Sequence, residues 1–452
     1  MTLKTGLALF LVLSAGISKN ISITIYNQGI GVVNEERKLD LKKGTNDILI
    51  ENVPSNIIPT SVFAEIQNAQ IAEQNYRYDL ASFTTILNKF IGKEITLISD
   101  KDKPITGDLI STNSQSVVLR LKDGQLFMIP DFNKYTLNVG SLPKGLILRP
   151  TLQWNVISDK TANANLKLNY QTTGMDWNAQ YVGVLNKEDN MLDLNAWVSV
   201  INQSGAAFEN ANLKLMAGEV NINRNNVDLE DYQMSKSQNV VKMDIKWNAP
   251  EFVEKEFMDF HLYTLDQEVN LLDKETKQIT LFKKNAIPVK KKYLVSNNSL
   301  TENFESAAIV VEFKNDEKSN LGIPIPAGEF KINKYDGEST ELVGEDKIGH
   351  KSKNDLITLN IGKAFDVKAK IIETNRKDFK NGYTSEYTVN FKNSKQVDVE
   401  VEFKYNTNYG NWEINNETEK FTKPDSRTAL FKIKIAKDSE AELKFKATIN
   451  YR

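Results

Sequence analysis

Cysteine is absent from this chain, and the absence closes several routes at once. No disulfide framework can staple the fold, no amino-terminal Cys can carry a lipid anchor, and thiolate chemistry and Cys-type structural zinc are both excluded. Histidine is nearly as scarce. His261 and His350 stand far apart in sequence, so a histidine-rich metal site is not expected. After the amino terminus no stretch approaches the roughly 20 apolar residues that a membrane-spanning helix needs. Blocks of like charge are missing too: 57 Lys and Arg are interspersed with 59 Asp and Glu, for a net charge of -2. That balance leaves no electrostatic footprint for nucleic acid or anionic lipid, and neither is expected as a partner.

What the chain has is length and apolar content. Its 452 residues exceed the roughly 250 to 300 at which single cores stop growing, so two or three domains are expected. A hydrophobic share of 40% against 26% charged belongs to folded domains rather than disordered tails. The first residues read Met1-Thr-Leu-Lys4, then an apolar run from Gly6 to Leu13, then Ser14-Ala-Gly-Ile-Ser18. That is the order of a secretory signal peptide over residues 1–18, the alternative being a first β-strand or a buried helix. Export follows as the expectation, to the periplasm or the cell surface, and not as a lipoprotein.

Two-residue alternation dominates the carboxyl half. Val397, Val399, Val401, Phe403 and Tyr405 face one way, and Asp398, Glu400, Glu402 and Lys404 the other. The pattern recurs in Phe431, Ile433 and Ile435, and in Leu443, Phe445, Ala447 and Ile449. Half-buried strands of this kind belong to antiparallel sheets packed as sandwiches. Helix signals are sparse; the best is Ala81 to Phe90, with Ser82 as cap and Phe83, Ile86, Leu87 and Phe90 as its apolar stripe. The expected fold class is therefore all-β, with antiparallel β-sandwich domains and very little helix.

Between Asn88 and Gly140, five short strands joined by turns such as Lys122-Asp-Gly124, with Gly107 in mid-strand, predict a small inserted barrel of the SH3-like or Sm-like kind. Seven Lys and Arg against six Asp and Glu leave it no basic stripe for RNA. The domain plan is then a β domain over 19–87 and 141–220, the barrel at 88–140, a linker or mobile loop at 221–246, and a carboxyl-terminal β-sandwich over 247–452.

Several words carry a family resemblance. They are Leu148-Arg-Pro-Thr-Leu-Gln-Trp154, Met175-Asp-Trp-Asn-Ala-Gln-Tyr181, Trp197-Val-Ser-Val-Ile-Asn-Gln-Ser-Gly205, Asn320-Leu-Gly-Ile-Pro-Ile-Pro-Ala-Gly328, Tyr335-Asp-Gly337 and Ile361-Gly-Lys-Ala-Phe-Asp366. In this order over nearly the whole chain they resemble the domain-of-unknown-function family numbered 4139, related to proteins named as mucoidy inhibitors. The resemblance implies a bacterial envelope β-protein without an assigned activity. Many members carry a long coiled coil near the amino terminus, where this chain has the short strands of its small barrel.

Two aromatic groups are candidate ligand or partner contacts. Asp176, Trp177 and Tyr181 could form a sugar platform, with the competing reading that both rings are core and Asp176 closes a turn. Tyr409 and Trp412 lie in the tip Asn408-Tyr-Gly-Asn-Trp412, which also reads as a hairpin turn. For glycoside hydrolysis Glu35, Glu36, Asp176, Glu209 and Asp366 are available, but no spacing selects a pair. There is no GxSxG elbow, and His350 sits in the charged turn Asp346-Lys-Ile-Gly-His350. The expected function is a non-catalytic interaction or structural component of the bacterial cell envelope, an accessory of a membrane or secretion assembly docking to an envelope protein. It needs no cofactor and no metal. A carbohydrate-binding protein comes second and a carboxylate-based hydrolase third; exposed coplanar aromatics would favour the one, two buried carboxyls in one cleft the other.

Overall fold

The structure is a computed structural model that describes residues 13–14, 19–77, 83–99, 103–113, 115–131, 134–139, 149–221 and 251–451. Among these residues the regular structure is β-strand, apart from the α-helix Phe83–Asn88 and three 3-10 turns. The all-β class that the alternation implies is the class observed. Of the amino-terminal run, Leu13–Ser14 is described, as a short strand parallel to Ile48 and Leu49. The rest of the expected signal peptide, and all but the first residue of the expected linker at 221–246, lie outside the described residues.

Contacts divide the chain into two compact units: Met1–Asp176 with Ile201–Leu215 and Gln267–Lys277, and Trp177–Val200 with Met216–Asp266 and Gln278–Arg452. The chain thus passes from one unit to the other five times, where the sequence suggests one crossing at 221–246.

In the first unit, Ile30–Leu41 pairs antiparallel with Lys19–Tyr26 on one side and Ala162–Thr173 on the other. A second sheet sets Thr151–Ser158 between Gly44–Glu51 and Ala69–Arg77. Along Ile30–Leu41 the buried positions alternate as Val33, Glu35, Arg37, Leu39 and Leu41, so two charged residues occupy core-facing places. They survive burial by mutual pairing. Arg37 donates to Glu35 at 2.8 Å and to the Glu51 carbonyl at 2.6 Å.

The short strands of the same unit form one antiparallel sheet. Its order is Leu126–Ile129, Val117–Arg120, Ile105–Thr112, Glu94–Ile98, Thr136–Asn138. Ile95, Leu97, Leu109, Val117, Leu119 and Ile129 share a core with Leu87 and Phe90, the latter two from the expected helical stripe. The helix itself spans Phe83–Asn88, inside the expected Ala81 to Phe90. Gly107 is required in mid-strand because a Cβ there would lie 2.7 Å from the Arg120 carbonyl oxygen. Among the described residues Leu126–Ile129 and Thr136–Asn138 are not paired as strands, so what is shown is a five-stranded antiparallel sheet where the sequence suggests a small barrel.

In the second unit, Met175–Leu185 pairs in parallel with Gly328–Tyr335, which pairs antiparallel with Thr340–Ile348. A nine-stranded sheet runs Asn411–Asn415, Ser439–Asn450, Gly382–Asn393, Leu356–Phe379, Glu305–Lys314, Lys290–Ser296, Val399–Asn406, Thr428–Ile435, Phe421–Asp425. Its two halves fold over one another as a sandwich. Phe445 from one half lies 5.4 Å from Phe431 and 6.3 Å from Phe403 of the other, ring centre to ring centre. Val399, Val401, Phe403 and Tyr405 are buried as their alternation requires, while Val397 precedes the strand and is exposed. Glu402, expected on the solvent face, is buried instead because Lys292 reaches it at 3.1 Å while also pairing with Glu312.

Candidate functional site

One end of the sandwich gathers aromatic rings and paired charges around a broken ladder. Tyr383, Ser385 and Tyr387 alternate along Gly382–Asn393 and point to its packed side, opposite Ile449, Ala447 and Phe445. On the other edge Thr374 pairs with Glu386 and Lys377 with Thr384, which leaves Asn375 and Arg376 opposite the single residue Ser385. This is a β-bulge, and such bulges re-aim a side chain. Asn375 absorbs the turn at φ +51°, a conformation Asn tolerates.

The bulge lays the Arg376 guanidinium 4.0 Å from the centre of the Tyr383 ring. Arg376 also donates to Asp378 at 3.3 Å and to Glu373 at 3.4 Å. Glu373 accepts a second bond, 2.6 Å, from the buried Ser385 hydroxyl. From Tyr383 the rings continue outward. Tyr451 lies 6.2 Å from Tyr383 at an interplanar angle of 48°, and Tyr409 lies 4.9 Å from Tyr451 at 49°. Tyr409 is 37% exposed and Tyr451 43%. Inward, the same aromatic series meets Tyr387 and Tyr405, 5.2 Å apart.

Burial pushes the Tyr387 hydroxyl up to about 12. Burial first, then the neighbouring phenols Tyr387 and Tyr383, raise Tyr405 far above the ordinary tyrosine range. Both phenols therefore stay protonated at neutral pH and serve as donors and acceptors, not as anionic nucleophiles. The site offers ring faces, hydroxyls and a carboxylate already engaged by a cation. Those groups suit recognition of a neutral polar surface.

The sequence-derived residues divide between this end and the core. Tyr409 is part of the exposed ring series. Trp412 is buried, its Nε1 donating to the Ser426 carbonyl at 2.8 Å and its ring covered by Lys423 at 3.9 Å. Trp177 and Tyr181 are core residues on one side of Met175–Leu185. Trp177 donates to the Met216 carbonyl, and Tyr181 donates to the Pro326 carbonyl and stacks on Phe330 at 4.5 Å. Asp176 lies within this strand on its opposite side, so it neither closes a turn nor joins the rings. Of the carboxylates considered for hydrolysis, Glu35 is paired with Arg37 inside the core, while Glu36 on the other side of the strand accepts from Asn20. Tyr383, Tyr451, Arg376 and Glu373 escaped the sequence reading. Nothing local in the sequence marks them, since the bulge at Asn375-Arg376 is set by register with Gly382–Asn393.

Two further features belong to the second unit. A cleft of about 410 Å³ is lined by Val184, Asn186, Met191, Asp193, Ala286 and Tyr335 among others. His261, though distant in sequence, is close enough to His350 to help lower its pKa, burial being the larger cause and Glu219 opposing it. His261 itself contacts Glu254 at 2.7 Å, and His350 accepts from the Ala327 amide. Among the described residues no three His, Asp or Glu side chains are grouped to hold a metal ion. Searches against protein-family models and against curated proteins found no match.

Proposed function

We propose that this chain is a non-catalytic interaction protein of the bacterial cell envelope, and that it docks an extended segment of an envelope protein on an exposed strand edge. The observation that carries this reading is the hairpin of Phe252–Phe257 with Phe260–Leu271. Among the described residues Phe252–Phe257 is the outermost strand of its sheet, and it exposes Val253 and Phe257. Its turn carries Met258 at φ +56°, a strained choice for an apolar side chain, with 77% of that residue exposed. Natural proteins blunt such edges with charge, as Glu254, Lys255 and Glu256 do at the centre of this one, so it is the exposed apolar side chains Val253, Phe257 and Met258 beside them that fit strand addition by a partner. The export expected from the order of residues 1–18 and the family resemblance supply the envelope setting of this proposal.

The test is cross-linking and co-purification from native envelopes with the wild type and with V253K/F257K, since lysine on an edge opposes strand pairing. The expected result is a partner captured by the wild type and lost in the variant, with both proteins melting at the same temperature. Capture that is unaffected by the two lysines would remove the hairpin from the interaction.

A further inference from the structure

We infer that the tyrosine end of the sandwich is a saccharide-binding site, separate from the strand edge, and that it takes a curved glycan chain rather than a flat polysaccharide face. Sugar rings present apolar C–H faces edged by hydroxyls, so they need exposed aromatic faces beside donors and acceptors. Tyr409 and Tyr451 give the exposed faces, and Phe379, 45% exposed at the neighbouring hairpin, adds a third apolar surface. Glu373 stands in reach of the same end with a carboxylate oriented by the Ser385 hydroxyl and Arg376.

Two features select the ligand class. Arg376, the cation in contact with the rings, is set against two carboxylates, Glu373 and Asp378, so the local charge does not favour a phosphate or carboxylate. A neutral, hydroxyl-rich ligand fits this arrangement better than an acidic one. The second feature is the tilt. The Tyr383 face is covered by Arg376, and the two exposed rings, Tyr451 and Tyr409, are turned 49° from each other, so they cannot lie together against a planar ribbon, but they follow a chain whose sugar units rotate from one to the next. The series is anchored at its inner end: Tyr383 packs on the sandwich core, and the Tyr451 amide is bonded to the Asn381 carbonyl at 2.9 Å. Anchoring of this kind lowers the ordering cost of binding.

The experiment titrates the full chain by calorimetry with two neutral soluble chains, maltoheptaose and laminarihexaose, and measures retention on microcrystalline cellulose. Y409A/Y451A and Y409L/Y451L are run beside the wild type, the second pair keeping apolar bulk should the first disturb folding. The inference expects binding of at least one soluble chain, weakened tenfold or more in both double variants at an unchanged melting temperature, with no retention on cellulose. It is overturned if neither soluble glycan binds, if the double variants bind as well as the wild type, or if cellulose alone is retained. Loss of a captured protein in the variants, without any glycan binding, also overturns it and assigns the end to a protein partner.

Discussion

Glu35 and Arg37 occupy positions where strand alternation calls for apolar side chains, and their side chains are 4% and 5% exposed. Breaking such a pair by removing one member leaves an uncompensated buried charge, at a cost of about 3–5 kcal/mol. R37L is therefore expected to lower the unfolding free energy in urea by about that amount, and E35L/R37L to recover most of the loss. The tyrosines make a second prediction. An unfolded tyrosine ionises near pH 10, whereas folded Tyr387 does so near 12 and Tyr405 higher still. Because the folded state holds these protons more tightly, their contribution is complete below about pH 10 and is lost as pH rises towards the folded values. Y387F/Y405F should flatten the fall in stability between about pH 10 and 12, measured by urea unfolding at each pH. Residue-scale legibility follows the reach of local pattern: Val401, Phe403 and Phe445 are core as alternation says. Glu402 is not exposed, because Lys292, over a hundred residues earlier, covers it.

At the scale of elements, period-two alternation was enough to place the strands, since one face of each is packed and the other wet. The same rule, applied strictly, separates Asp176 from Trp177 and Tyr181; the sequence reading grouped them by proximity along the chain instead. The bulge at Asn375 and Arg376 was beyond reach because it depends on the register with Gly382–Asn393, which a single strand does not encode. Strand contacts also predict the effect of a small change in the five-stranded sheet. G107V places a branched side chain against the Arg120 carbonyl, and overpacking of this kind costs about 1–3 kcal/mol. Hydrogen exchange should show the loss concentrated in Glu94–Ile98, Ile105–Thr112 and Val117–Arg120, with the amides of Val399–Asn406 unchanged.

For the molecule as a whole, the all-β class was legible and the division into units was not. Composition breaks along a chain reveal linkers only when each unit is continuous, whereas here each is assembled from three separate segments. The five-stranded sheet is different, being continuous in sequence and having a core largely its own. Replacing Lys89 to Val139 by a short Gly and Ser linker is expected to leave the remainder cooperatively folded, because changing loop length costs only about 0.6 kcal/mol per doubling. Loss of a cooperative melting transition would show that these residues belong to the main core.

The interleaved segments also set an order of events in time. The first unit closes only when Gln267–Lys277 is available, about a hundred residues after Asp176. At about 5–20 residues per second, synthesis leaves the first unit incomplete for roughly 5–20 seconds. The chain is vulnerable to aggregation over the same interval, so a helper that shields strands during that wait should raise its yield more than one acting on the finished chain.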